Sequence, residues 1–338
     1  MMYDTYVGTE HGVHRLRAGR AQSLGLENLK ISAIFAGREA SGDTYILAGS
    51  YGAGMFRSAD DGHTWQPIYA GLPAPAFRTI DVHPLNPREL ICGCEPGRIY
   101  TSADAGRTWS EVAGIRNIPG IDEWYLPYSP RAGAVRNIHA PDPSSARLLA
   151  SVEVGGLLDS RDGGVTWTCS QVGVDDDIHH ITSHPDDPNL LYASLGYAAL
   201  RRHRRPADGS GHPRLGGVAR SRDGGATWEK LFSDYTRATI VPPTRRDLVL
   251  SGPAPYVGEA GRIDVSDDGG DNWQAASTGI ETPMPDMVEL FVVASDQTIW
   301  AVRSGGGLIR AEAGEWHWHS TLPEDSNLKV NAVAFLNV

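Results

Sequence analysis

The stretch Ser58-Ala59-Asp60-Asp61-Gly62-His63-Thr64-Trp65 recurs along the chain. It returns as Ser102-Ala103-Asp104-Ala105-Gly106-Arg107-Thr108-Trp109, then from Ser160 to Trp167 and from Ser221 to Trp228. A fifth copy, Ser266 to Trp273, keeps Asp268 and Gly270 but carries Asn272 where the others have Thr. A sixth, near Arg310–Trp318, has lost the Ser and Asp and keeps Gly314 with Trp316 or Trp318. Successive box serines lie 44, 58, 61 and 45 residues apart, a spacing that marks one supersecondary unit per copy.

Each box closes a similar unit. A short apolar strand such as Arg78–Val82 leads to a Pro-marked turn (His83-Pro84, His184-Pro185, Pro242-Pro243), then to a second strand such as Leu90–Gly93. A Gly-rich turn, a third strand (Ile99–Thr101), the box and a fourth strand beginning at Trp complete it. Short β-rich runs between Gly, Pro and Asp turns read as hairpins in series, and four antiparallel strands per unit make a propeller blade. First strands fall at Ile31–Phe35, Arg78–Val82, Arg136–Ala140, His179–Ser183, Arg237–Val241, Val288–Val292 and Val330–Phe335. The last has no strand after it, whereas the N-terminus begins on a second strand, Thr5–Gly8. Pairing the two closes the ring and removes its open edges. The reading is an all-β, seven-bladed propeller occupying 1–338 as one domain, about 48 residues per blade, with insertions at 115–135 and 196–217.

Composition agrees. The 39 Gly and 22 Pro are in keeping with a turn-rich chain, and 41% hydrophobic residues suffice for a core. Thirty Lys and Arg against 41 Asp and Glu leave a charge of −11, which argues against a nucleic-acid partner. The absence of a long apolar run argues against a membrane partner. Three cysteines give no disulfide framework, and Met1-Met2-Tyr3-Asp4 has neither a basic nor an apolar leader pattern, so a cytoplasmic location is expected.

The repeat resembles the Asp-box, or BNR, repeat of sialidases, xyloglucanases, sortilin-type receptors and photosystem II assembly propellers, and the likeness covers nearly the whole chain. It implies an Asp-box propeller, a class that includes enzymes, receptors and assembly factors, so function has to come from the site. The boxes read as structural turns. Ser and Asp bond the turn backbone, Gly takes a positive φ, and Trp packs as an apolar plate; a calcium loop would need more oxygen ligands per copy.

Strand direction puts the boxes and the first-to-second-strand turns on one face, and both insertions on the other. That second face is the candidate site. Aligning the first strands gives the column Ile31, Arg78, Arg136, His179, Arg237, Val288, Val330 at the channel mouth. Arginines there imply either salt bridges or an anionic ligand. Glu10, Glu95 and Glu153, at the ends of second strands, could pair with them. Substrate-binding candidates are Arg78, Arg136, Arg237, Trp124, Glu10 and His11; acid–base candidates are His179, Tyr125, Glu95 and Glu153. Further acids on this face are Asp122, Glu123, Asp175 to Asp177, Asp234 and Glu281. The arginine triad invites comparison with sialidases. Those enzymes have six blades, however, and their early Arg-Ile-Pro motif is absent from a strand here, the nearest match being Arg116-Asn117-Ile118-Pro119 in a loop.

No cofactor is expected. A divalent metal on Glu10, His11, Glu95, Glu153, His179 and His180 is an alternative without diagnostic spacing. The favoured function is a hydrolase or lyase acting on a small carboxylated or sugar-like molecule in an arginine-lined central pocket. The competing one is a non-catalytic scaffold that docks a protein partner on the same face.

Overall fold

The computed structural model describes residues 3–73, 76–124, 133–170, 174, 176–184, 186–196, 216–323 and 326–337. Seven four-stranded antiparallel sheets follow one another around a central axis. In the first blade the C-terminal strand Val330–Asn337 pairs with Tyr3–Thr9, followed by Gly12–Arg17 and Arg20–Ser23, so the chain's two ends close the ring in one sheet. The innermost strands of blades two to seven are Ile31–Arg38, Ala76–His83, Ala134–His139, Ile178–His184, Tyr235–Ile240 and Val288–Val293. Two short 3-10 turns, Ala113–Asn117 and Ile121–Glu123, lead into the first insertion. No helix of the described residues is long and apolar enough to cross a membrane.

The boxed turns show why their residues recur. In each of the five, the Ser hydroxyl donates to the Asp carboxylate at 2.8–2.9 Å and accepts the Gly backbone N–H at 2.7–2.9 Å. The same carboxylate takes the backbone N–H and the hydroxyl of Thr64, Thr108, Thr166 or Thr227. Asn272 substitutes without loss because its Nδ2 donates to Asp268 at 2.7 Å. Hydrogen bonds from Thr or Asn side chains pull the carboxyls of Asp60, Asp162, Asp223 and Asp268 down to about 2. The indole N–H of Trp109, Trp167, Trp228 and Trp273 returns to its own box Gly carbonyl, while that of Trp65 reaches Leu24 O of the preceding blade at 2.6 Å. The degenerate copy keeps only packing: Trp318 is 1% exposed and donates to Ala276 O.

Third-strand arginines fasten one blade to the next box. Arg15 binds Asp61, Arg57 donates to Ala105 O, and Arg220 donates to Gly269 O and pairs with Asp271. His83 and His184 are turn residues whose Nδ1 accepts the N–H of Leu85 and Asp186. Cys92 and Cys94 are buried and reduced, and Cys169 is also a free thiol.

One irregularity positions the mouth. In every blade the pairing of the innermost strand slips near its start, leaving a bulge: Ser32, Arg78, Arg136, His179, the pair Arg237 and Ala238, Glu289, and Asn331. Bulges bend a strand and re-aim a side chain. The residue before each bulge is fully buried: Ile31, Phe77, Val135, Ile178, Thr236, Val288 and Val330 are at most 1% exposed. Several pack on a small residue of the preceding blade, as Phe77 does on Gly49 and Val288 on Gly252. This corrects the aligned column. Ile31, Val288 and Val330 belong to the buried position, and Ser32, Glu289 and Asn331 stand beside the arginines.

Candidate functional site

All seven bulged positions bring a side chain into a polar contact. Two of these contacts run to the backbone of the next blade: Asn331 Nδ2 donates to Ile31 O at 3.2 Å, and Ser32 Oγ donates to Phe77 O at 2.7 Å. From the third blade onward the column is ionisable. Arg78 forms an ion pair with Glu95 and lies 4.7 Å from the Tyr51 ring centroid. Arg136 Nε lies 2.8 Å from the carboxylate of Glu153, and Arg237 pairs with Glu289 of the following blade. Glu95 and Glu153 end their second strands, opposite the start of the first strands, and so arrive at the same face as the bulges.

These pairs surround a tighter group. His179 Nε2 is 3.2 Å from Asp177 Oδ1 and 3.2 Å from the hydroxyl of Tyr235, which also accepts a hydrogen bond from Arg237 Nε at 3.0 Å. One donor atom each of Glu153, Asp177 and His179 fall within 4.8 Å of one another. The side chains of Glu153, Asp177 and His179 are 6%, 4% and 2% exposed, so this is a buried ionic cluster rather than a solvated rim. Burial pushes the Glu153 carboxyl up. The fields of Arg136, His179, Arg78 and Arg237 outweigh that and hold it well below the usual carboxylate range. Tyr235 goes the other way, its phenol raised by burial and by the charges of Asp177 and Glu153 despite Arg237.

Of the sequence candidates, the structure gathers Arg136, Arg237, Glu153 and His179 into one network of contacts and charges. Arg78 acts on Glu153 electrostatically while bound to Glu95. Glu10 instead pairs with Lys30 at 2.8 Å, and His11 is exposed beside it. Trp124, expected to bind substrate, is instead 2% exposed and packed among Ile118, Val152 and Val154 in the core. Tyr125 and Asp175 lie outside the described residues. Of the other acids on the face, Asp122 and Glu123 are exposed, and Asp234 is committed to Arg262. His180 turns away from His179 and bonds Thr239 O through Nδ1, as the opposite sides of a strand require.

Tyr235 and Glu289 were not singled out by sequence reasoning, and Asp177 was named only among the further acids of this face. Tyr235 sits two residues before Arg237 and Asp177 two before His179, a spacing that on an extended strand returns to the same side. Glu289 becomes visible only once the bulge shifts the alignment by one.

No family model matches the chain, and no curated protein does. Solved structures do. The chain is similar to the GH74 enzyme of Niastella koreensis, at 17% identity and a TM-score of 0.62, over 98% of this chain and 52% of that one. It is similar to an ancestral GH74 enzyme at 12% identity, TM-score 0.59, over 99% and 40%. It is also similar to YCF48 bound to a D1 peptide, at 16% identity, TM-score 0.52, over 89% and 83%. The chain thus spans about half the length of the Niastella enzyme. At these identities the likeness establishes the propeller fold and is shared by an enzyme and a peptide-bound protein.

Proposed function

We propose that the mouth binds a small carboxylated or sugar-like molecule and acts on it by acid–base chemistry of the hydrolase or lyase class. The observation behind this is the cluster of Glu153, Asp177, His179 and Tyr235 beside three arginines, buried where the fold needs only small or apolar residues. Desolvating ionic groups is costly, and replacing such pairs with apolar residues is often neutral or stabilising. The first two blades close their bulges with Asn331 and Ser32 alone. Charge at the equivalent positions in the other blades is therefore surplus to folding, and perturbed ionisable groups in one place are a mark of function. Arg78, Arg136 and Arg237 each already face a carboxylate, so they orient an incoming anion within a charge-balanced setting.

A second reading, a surface that docks a protein partner, draws on the same pairing of every one of these arginines. Tyr256 and Val257 add apolar surface, 67% and 51% exposed, in a second-to-third-strand turn on that face. The free thiols of Cys92, Cys94 and Cys169 fit a reducing compartment, in line with a cytoplasmic protein.

The test is a thermal-shift screen of small carboxylic acids, sugars and sugar acids on chelator-treated protein, comparing wild type with Arg136→Ala. A ligand-induced increment in wild type that Arg136→Ala diminishes supports the pocket. Identical increments in the two proteins, or none in either, would sink it.

A further inference from the structure

We propose that Glu153, Asp177 and His179 form a binding site for a divalent first-row transition metal ion. The inference rests on the mouth being a ligand site but concerns what is held there rather than which substrate is bound.

The three donors come from two adjacent blades and from positions the fold fixes independently. Glu153 ends the second strand of the fourth blade, His179 is the bulge residue of the fifth, and Asp177 immediately precedes that innermost strand. Bond lengths of about 2.0–2.2 Å in a tetrahedral site require donors roughly 3.3 Å apart. His179 Nε2 and Asp177 Oδ1 already stand at 3.2 Å, and the Glu153 oxygen completes the triangle within 4.8 Å. An imidazole with two carboxylates suits zinc, manganese or iron(II), whereas calcium and magnesium prefer oxygen alone.

The surroundings have the form of an outer shell. Arg136 Nε stands 2.8 Å from one Glu153 oxygen as its ion-pair partner beside the proposed ligands. Gly196 lies against the other two side chains: a Cβ there would stand 2.0 Å from Asp177 Oδ2 and 2.8 Å from His179 Nε2, so a larger residue would have to displace them. The Tyr235 hydroxyl, anchored by Arg237, hydrogen-bonds His179 Nε2 at 3.2 Å in this structure and would give up that contact to an ion bound at the same nitrogen. Charge is compatible. Glu95, Glu153, Asp177 and Glu289 oppose Arg78, Arg136 and Arg237, so these seven groups leave one negative charge in excess. A cation with three protein ligands and an open position would activate water.

The experiment measures metal content of protein purified without chelator, then titrates chelator-stripped protein with Zn²⁺, Mn²⁺ and Co²⁺ separately by calorimetry. The expected result is one equivalent bound, with affinity reduced about 10–100-fold or more in Asp177→Asn and in His179→Ala. The surface pair His317 and His319, with rings 4.6 Å apart and both exposed, is an obvious adventitious site. The double variant His317→Ala/His319→Ala should leave the equivalent in place. Circular dichroism confirms folding, and Asp177→Asn, which keeps shape and hydrogen bonding, serves if His179→Ala does not fold. Absence of binding, or binding abolished by the surface variant and spared by Asp177→Asn, overturns the proposal. The ligand screen runs in chelator, so a ligand response without metal binding overturns this inference alone. Metal binding without a ligand response overturns the proposed substrate class alone.

Discussion

Replacing Arg136 by Ala in metal-free protein at pH 7 should destabilise the fold by about 3 kcal/mol. The Glu153 side chain it faces is 6% exposed and Arg136 itself 20%, so the substitution strands a carboxylate that water cannot reach. Removing one partner of a buried pair costs about 3–5 kcal/mol, and the low end applies because Arg78, Arg237 and His179 still act on Glu153. For 338 residues at roughly 2 cal/mol/K each, the unfolding entropy is about 0.7 kcal/mol/K, so Tm should fall by about 4 °C. The double variant Arg136→Met/Glu153→Leu removes both charges and should recover most of the loss, whereas Glu153→Leu alone strands the guanidinium. Calorimetric scans of wild type, both single variants and the double variant give the coupling energy directly. A loss below about 1 kcal/mol for Arg136→Ala would put the pair in the class of solvent-exposed bridges and refute the argument that the mouth is a buried ionic cluster.

Gly252→Ala should cost about 1–3 kcal/mol, because the new Cβ would lie 2.5 Å from Val288 Cβ across the blade interface; a chemical unfolding midpoint equal to wild type would disprove the packing role. The box carboxylates are depressed in the folded state, so their stabilising contribution is present above about pH 4 and is lost as pH falls through about 2. Asp162→Asn should therefore flatten that stretch of the Tm-against-pH curve, measured by differential scanning fluorimetry, and a curve parallel to wild type would count against it. Deleting Val330–Asn337 uncovers the Tyr3–Thr9 edge, and the truncated chain should associate or aggregate on size-exclusion chromatography, where a stable monomer would contradict ring closure by that strand.

The fold was legible because its information is local. A box needs Ser, Asp, Gly and Thr or Asn within seven residues, and each supplies a hydrogen bond or a backbone conformation within the turn itself. Blade number and closure followed from counting strands. The site was legible only in part, and the bulge explains where the reading stopped. Ile31, Val288 and Val330 aligned with the arginines because a strand start is recognised by its first apolar residue. In those blades that residue is the buried one, and the bulged side chain comes next. Arg78, Arg136, His179 and Arg237 were found because their own chemistry stood out in a β-rich segment. Glu289, between Val288 and Leu290, reads as an ordinary outward polar residue until its pairing is known. Trp124 failed for the opposite reason: an aromatic in a long loop suggests a binding surface, yet an insertion must also bury something to stay on the scaffold, and Trp124 fills that place.

The two recurrent features of the chain divide its work by position along the strands. Box residues lie after the third strands, at the end of the blade away from the mouth, and their hydrogen bonds stay largely within each turn. Bulge residues lie at the start of the first strands, where a slipped register frees one side chain per blade without altering the ladder beyond it. Because the slip occurs in all seven blades, the backbone offers seven near-equivalent positions around one opening, and the side chain installed at each can vary while the fold stays constant. Asn331 and Ser32 bond the next blade's backbone, and the remaining positions carry three arginines, a histidine and a glutamate. A ring assembled only for stability would have no reason to treat its two arcs differently. The charged arc, with Asp177 and Tyr235 drawn in beside it, is therefore where the chemistry of this propeller should be sought.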